Sequence, residues 1–472
     1  MPRSAAKNMI IYYPSYNFKN KPDLRPVSVF NFIKTDFLKN AGKLFGSAAI
    51  VQVLNLLLIT PLLARLFSKE QHGDLTVFTS IISVCVAFCT LKFEHATMVE
   101  SNDEKAQNLI SLSLFINLLF VCLFYLFLFL FGGAFASFMG FSSVPFWFYL
   151  TPPAIYFTAG FDIFNIWWNR EKRYTKISSN RLLNFSSKSA YQLFHGFLFA
   201  NKNNGLILGH ILGQIISFVA YLPKNFALFL KPHVAPFRQL AKQYKSFAIW
   251  LTPSALINVL GTQLPVFIIL MFFDRETNGL YGNALKLTYL PLTAVSFAIS
   301  QVLYEQLARL KNNVAETQKL ATNILRFQFF LAIIPVAVLV VWGDVLTPFL
   351  LGETWQDAGP MVQILALFSF AMYISSPFAS AFEVQNRIHL QFVYTSLFTL
   401  LGCVGLYVSL HYFHNILGGL LVFTACSSIV RIAMLINCFH LLKTKIVGQV
   451  LVGLSLLAAV IFVLQGVRFY WG

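Results

Sequence analysis

Four basic side chains stand inside or near the ends of long apolar runs in this sequence: Arg65, Lys188, Lys286 and Arg431. A cation in apolar surroundings is costly to keep, so it needs a compensating group, and what it offers in return is capture of phosphate or carboxylate. Arg431 lies deepest in its run and is the foremost candidate for such an anion contact. The alternative is a structural pair with an acidic or amide neighbour. Lys286, Arg65 and Lys188 stand nearer the ends of their runs, where a long side chain can stretch towards water. Four other groups could relay a coupling proton: Asp162 and Glu383, near the ends of two runs, and His195 and His210, deeper in theirs. Polar packing near a helix end is the competing explanation for each. The sequence has no G-x-x-x-x-G-K-[ST] loop, no H-E-x-x-H pair, no Cys/His ligand spacing and no nucleophile elbow. The expectation is a non-enzyme with no catalytic residues, no cofactor and no metal site.

The elements that must hold these residues are set by composition. Hydrophobic residues make up 57% of the 472 positions, charged residues 11%, and Phe occurs 51 times. A chain of this size with so little polar surface cannot cover itself in water. A spanning helix needs about 20 mostly apolar residues. Twelve runs qualify, over 45–67, 75–92, 109–131, 146–167, 182–201, 205–222, 247–272, 282–304, 325–347, 358–382, 390–412 and 415–441, and a thirteenth covers about 447–467. The runs are continuously apolar rather than alternating, which points to helices and away from a β-barrel. The six cysteines all lie in apolar stretches without a C-x-x-C pair and read as small buried hydrophobes.

The formal charge of +17 would suggest nucleic acid on a soluble protein. Here the basic residues lie mostly between the apolar runs, so they read as topology signals beside lipid headgroups, with no nucleic-acid partner expected. With the N-terminus placed inside, 28 of the 35 Lys and Arg residues fall on the cytoplasmic side. The expected location is therefore the cytoplasmic membrane, with a cytoplasmic N-terminus. The loops are short, which leaves no room for a folded domain outside the bilayer.

The two halves of the chain resemble each other. FSKEQHGDL (67–75) matches FDRETNGLY (273–281), with Gly73 over Gly279; FEHA (93–96) matches YEQL (304–307); and AIYFTAGF (154–161) matches AMYISSPF (371–378). Ordered matches at a nearly constant offset imply two six-helix lobes related by an axis along the membrane normal, a transporter architecture whose substrate site lies between the lobes. The expected organisation is a basic extension over 1–42, an N-lobe over 43–246, a C-lobe over 247–446 and an extra helix over 447–472. The fold class is thus an all-α polytopic membrane protein of twelve core helices plus a thirteenth.

Several stretches resemble the polysaccharide or O-antigen (lipopolysaccharide) flippases of the multidrug/oligosaccharidyl-lipid/polysaccharide exporter superfamily. They are KFEHATMVESNDEKAQNL (92–109), WWNREKRYTKISSNRLL (167–183), GLILGHILGQ (205–214), GETWQDAGPMVQILA (352–366) and SSPFASAFEVQNR (375–387). The longest is TPSALINVLGTQLPVFIILMFFDRETNGLYGNALKLTYLPLTAVSFAISQVLYEQL (252–307). The basic extension and the thirteenth run depart from that family's twelve-helix pattern. The resemblance implies a carrier of lipid-linked oligosaccharide, typically on undecaprenyl pyrophosphate, working beside a polysaccharide polymerase and a chain-length partner. Two alternatives remain: a cation-coupled multidrug exporter of the same superfamily, which would need acidic cavity residues, and a membrane polymerase or ligase, which would need a long outer loop.

Overall fold

The computed structural model describes residues 51, 52, 54–199, 204–223, 226–229, 234–310, 313–385, 387–444 and 446–471. The expected 1–42 extension and the start of the first span lie outside these residues. No strand occurs among the described residues, and fourteen helices account for nearly all of them. They are α1 (Asn55–Leu66), α2 (Lys69–Val86), α3 (Asp103–Phe138), α4 (Thr151–Arg170), α5 (Tyr174–Leu198), α6 (Gly205–Tyr221) and α7 (Val234–Gln243). The remainder are α8 (Phe247–Phe272), α9 (Arg275–Arg309), α10 (Val314–Leu351), α11 (Ala358–Val384), α12 (Ile388–Phe413), α13 (Ile416–Leu441) and α14 (Val447–Trp471). Eight of them, α3 and α8 to α14, are long and apolar enough to cross a membrane, and α1 and α6 are shorter apolar helices. Each expected span falls on a helix. The surplus element is α7, a short amphipathic helix between the sixth and seventh expected spans that packs on α3.

Local sequence explains where the helices start and stop. Ser68 and Gln71 form a reciprocal capping box at the start of α2. Asp274 caps α9 by accepting from the Thr277 N–H at 2.8 Å, and Asn102, Asn313 and Asn415 do the same for α3, α10 and α13. Helices α1 and α8 each open with a π-turn followed by a Thr-Pro pair, Thr60-Pro61 and Thr252-Pro253. The wider turn relieves the clash of the proline ring with the preceding carbonyl. After α2, Leu91 and Lys92 adopt φ of 52° and 55°. This left-handed pair closes the turn that follows α2 and starts a 3-10 turn over Phe93–Met98. Several expected spans have other bounds in the structure. The second stops at Val86 rather than 92, and the fifth begins at Tyr174 rather than 182.

Within the first half, α2 packs on α4 and α6, α3 on α4, and α5 on α6. Within the second half, α8 packs on α12, α9 and α10 on α11, and α12 and α11 on α13. α11 is the central helix and is mostly buried, whereas α14 is mostly exposed and rides on the outside of α10. The halves meet chiefly through α2 against α9, with smaller contacts of α2 with α8 and α1 with α10.

A candidate anion site between the two halves

The contact of α2 with α9 depends on the two glycines that the sequence match pairs. A Cβ on Gly73 would stand 1.8 Å from the Arg275 carbonyl oxygen, and a Cβ on Gly279 would stand 2.0 Å from the Lys69 carbonyl oxygen. Only glycine allows this approach. Charges cross the seam in both directions. Lys69 of α2 pairs with Glu276 at 2.9 Å and with Asp357 at 3.1 Å, while Arg275 of α9 pairs with Asp74 at 3.3 Å and with Glu70 at 3.6 Å. Trp355 donates to the Ala64 carbonyl at 2.9 Å, closing α1 against the start of α11. One end of the interface, the end that the charge pattern places outside, is therefore shut.

Just inside this closure lies a recess between α2, α8 and α9. It is lined by Thr76, Thr79 and Ser80 from α2, by Thr262, Gln263 and Val266 from α8, and by Tyr281, Gly282, Leu285, Lys286, Tyr289 and Leu290 from α9. Both halves contribute, and Lys286 is the charged residue among the lining groups. The hydroxyls of Thr76 and Thr79 donate to the carbonyls of His72 and Leu75 in their own helix, each at 2.8 Å. Their donors are thereby satisfied and their oxygen lone pairs stay available. The lining combines one cation, several hydroxyls and an amide with aromatic rings, a set suited to an anionic group attached to sugar.

The four basic candidates separate into different environments. Lys188 and Lys286, from opposite halves, lie close enough to feel each other's charge, and His210 of α6 lies within reach of both. Lys188 is deeper than its sequence position suggested, because α5 starts earlier and runs against Gly209 and Gly213 of α6. Arg431 is buried at 7% exposure, stacks on Phe398 with its guanidinium carbon 4.2 Å from the ring centroid, and leaves its Nε without a partner. No carboxylate among the described residues pairs with it. Its link to the recess is Tyr289, which feels its charge and lines the pocket. Arg65 is elsewhere: its guanidinium donates to the Phe349 carbonyl at 3.4 Å, in the outer contact of α1 with α10.

The four titratable candidates do not gather into one group. Asp162 of α4 lies near the charges of Lys92, Glu94 and Arg181 in the first half. Glu383 lies near Gln391 and Tyr304 at the end of α11. His195 stacks on Phe199 at 4.8 Å, in a gap that Gly205 leaves open. His210 makes an edge contact with Phe78 at 6.0 Å. Several groups escaped the sequence reading. Glu94 is a buried carboxylate that accepts from Thr90 at 3.0 Å. The hydroxyls Thr76, Thr79, Ser80 and Ser83 form one face of α2. Their helical spacing within an apolar run was the available signal.

A family model described as polysaccharide biosynthesis protein matches residues 62–360. The lipopolysaccharide biosynthesis protein WzxC of Escherichia coli (strain K12) is 24% identical over 149 residues, which is 31% of this chain and 30% of that protein. The teichuronic acid biosynthesis protein TuaB of Bacillus subtilis (strain 168) is 24% identical over 158 residues, 33% of this chain and 32% of that protein. The matched stretches thus span about a third of the length of these relatives. Among solved structures, the lipid II flippase MurJ in an inward closed conformation superposes with a TM-score of 0.65 at 13% identity, covering 90% of this chain and 91% of that one. An inward-facing multidrug resistance MATE family transporter of the MOP superfamily gives 0.61 at 13% identity, covering 85% and 94%. These likenesses show the fold, which the chain shares with both solved structures.

Proposed function

The chain belongs to the polysaccharide biosynthesis protein family, and we propose that it is a flippase carrying lipid-linked oligosaccharide across the cytoplasmic membrane for surface polysaccharide synthesis. The observation that carries this reading is the polar recess between the halves, with Lys286 as its cation and Lys188 adding to the positive field. A pyrophosphate entering low-dielectric surroundings loses its hydration, and the donors of fixed cations replace it, while the free lone pairs of the hydroxyls suit the O–H donors of a sugar. Arg431 supports the site from behind Tyr289. The names of WzxC, TuaB and MurJ point the same way. The residues lining the recess include no carboxylate, which weighs against an exporter of cationic drugs.

The mechanism we infer is alternating access. The N-lobe over 43–246 and the C-lobe over 247–446 would rock about the α2–α9 seam, presenting the recess first to the cytoplasm, with the N-terminus on that side, and then to the outside. An anion moving outward descends the inside-negative potential, so ATP need not be involved. Asp162, Glu383 and His195 lie away from the recess; if an ion resets the empty carrier, they are the groups to test. A polymerase and a chain-length protein would receive the product. The deciding experiment uses the full chain in vesicles containing labelled undecaprenyl-pyrophosphate-linked oligosaccharide. Outward flipping that depends on Lys286 supports the proposal, and vesicles that move a cationic dye but leave the lipid in place overturn it.

A further inference from the structure

A chain of hydrogen bonds runs from the recess into the seam. Lys286 Nζ donates to Asn283 Oδ1 at 3.1 Å, Asn283 Nδ2 lies 3.3 Å from His72 Nδ1, and His72 Nε2 lies 3.2 Å from the Leu63 carbonyl oxygen. An ammonium can only donate, so the direction of the whole chain is fixed. The Asn283 oxygen accepts, its amide nitrogen donates to the lone pair of His72 Nδ1, and the proton on Nε2 goes to Leu63. His72 and Asn283 are buried, at 2% and 0% exposure, so no solvent replaces a broken link. The chain joins α9 of the second half to α2 and α1 of the first. It crosses at the tightest place, because His72 adjoins Gly73 and meets Trp355 edge-on at 5.0 Å.

We propose that Asn283 and His72 are positioning residues that form a latch, holding Lys286 to the closed seam until an anionic head group in the recess takes Lys286 away and frees the outer side to open. The proposal rests on the flippase reading and adds to it the link between capture and opening. Lys286 has two competing acceptors. In the empty recess it has the neutral amide oxygen of Asn283, and with substrate present it has a phosphate oxygen, which makes the stronger, charge-assisted bond. Once Lys286 turns to the phosphate, Asn283 Oδ1 is left as a buried acceptor without a donor. The amide then gains by turning, and turning gives up its bond to His72. The closed state is disfavoured only when the recess is occupied, which prevents the empty carrier from cycling at the expense of the gradient.

Hydrogen–deuterium exchange of the full chain in lipid nanodiscs tests this, with undecaprenyl pyrophosphate as the probe and its binding measured on the same samples. In the wild type, the probe raises exchange of the peptides covering 67–75 and 273–281. Asn283→Ala shows that raised exchange without probe and binds the probe at least as tightly as wild type. Asn283→Asp holds Lys286 with a charged acceptor while its carboxylate cannot donate to His72 Nδ1, so exchange is raised without probe as in Asn283→Ala, but the probe binds about tenfold or more weakly. His72→Phe keeps the edge contact with Trp355, removes both hydrogen bonds and behaves like Asn283→Ala, so the test survives if one variant fails to fold. Peptides of α13 report global unfolding in each sample. The latch is overturned if Asn283→Ala and His72→Phe exchange as slowly as wild type. It is equally overturned if Asn283→Asp binds the probe as tightly as Asn283→Ala does, because a merely structural asparagine would give that result. Binding by wild type with no effect of these variants removes the latch and keeps the flippase; no binding by wild type removes both.

Discussion

Lys286 is the side chain on which substrate capture should depend most. A charge-assisted bond to phosphate is worth about 1.5–3 kcal/mol, so Lys286→Ala is expected to weaken binding of undecaprenyl pyrophosphate by about 10- to 100-fold. Equilibrium binding to the purified protein measures this, and a change below threefold would remove Lys286 from the site. Arg431 carries a different expectation. Its guanidinium lies over the Phe398 ring and its charge is felt by Tyr289 of the recess, so Arg431→Lys should keep part of the flipping activity while Arg431→Ala loses it with the protein still inserted. Equal loss in both variants would mean that the planar stack, not the charge, matters. These basic candidates were legible in the sequence because intramembrane charge is rare. Which of them lines a cavity was not, since that depends on how α2, α8 and α9 face one another.

Among the elements, α2 and α9 make the most specific contact. Gly279→Ala would drive a methyl group into the Lys69 carbonyl, and Gly73→Ala into that of Arg275. Neither backbone can yield without separating the helices, so each variant is expected to hold the outer seam apart. Faster exchange of peptides 67–75 and 273–281, with flipping reduced at least about tenfold, is the expected result; normal exchange in Gly279→Ala would show that the seam has slack. The last helix, α14, is tied by a two-pronged ion pair from Arg468 to Asp344, at 3.0 and 2.6 Å. Both side chains are over a third exposed, so Asp344→Ala should cost no more than about 1 kcal/mol. A thermal melt in detergent would detect it as a small drop in midpoint, and a collapse of the whole fold would show that α14 is integral to the core.

For the molecule as a whole, the direction of transport follows from charge. Each negative charge moved outward gains about 2.3 kcal/mol per 100 mV of inside-negative potential. Outward flipping of a pyrophosphate-linked substrate should therefore accelerate when such a potential is imposed on vesicles, provided the cations of the recess stay in place. Rates that do not respond to the potential would exclude electrophoretic driving. Orientation can be checked independently: reporters joined after Lys245 and after Asp274 should report cytoplasm and outside respectively, and the reverse pattern would overturn the charge-based topology.

The sequence alone determined the solvent, the helical class and the approximate spans, because a chain with 11% charged residues and long apolar runs has no other way to satisfy its backbone in lipid. The match of Gly73 with Gly279 was legible too, as an internal repeat. Only the tertiary structure decided that these glycines touch each other, that the α2 hydroxyls and Lys286 line one recess, and that Asn283 and His72 connect it to the seam. Apolar periodicity says which helices are buried without fixing how they are rotated about their axes. That rotation comes from close packing between residues some 200 positions apart, and it decides which few polar groups meet.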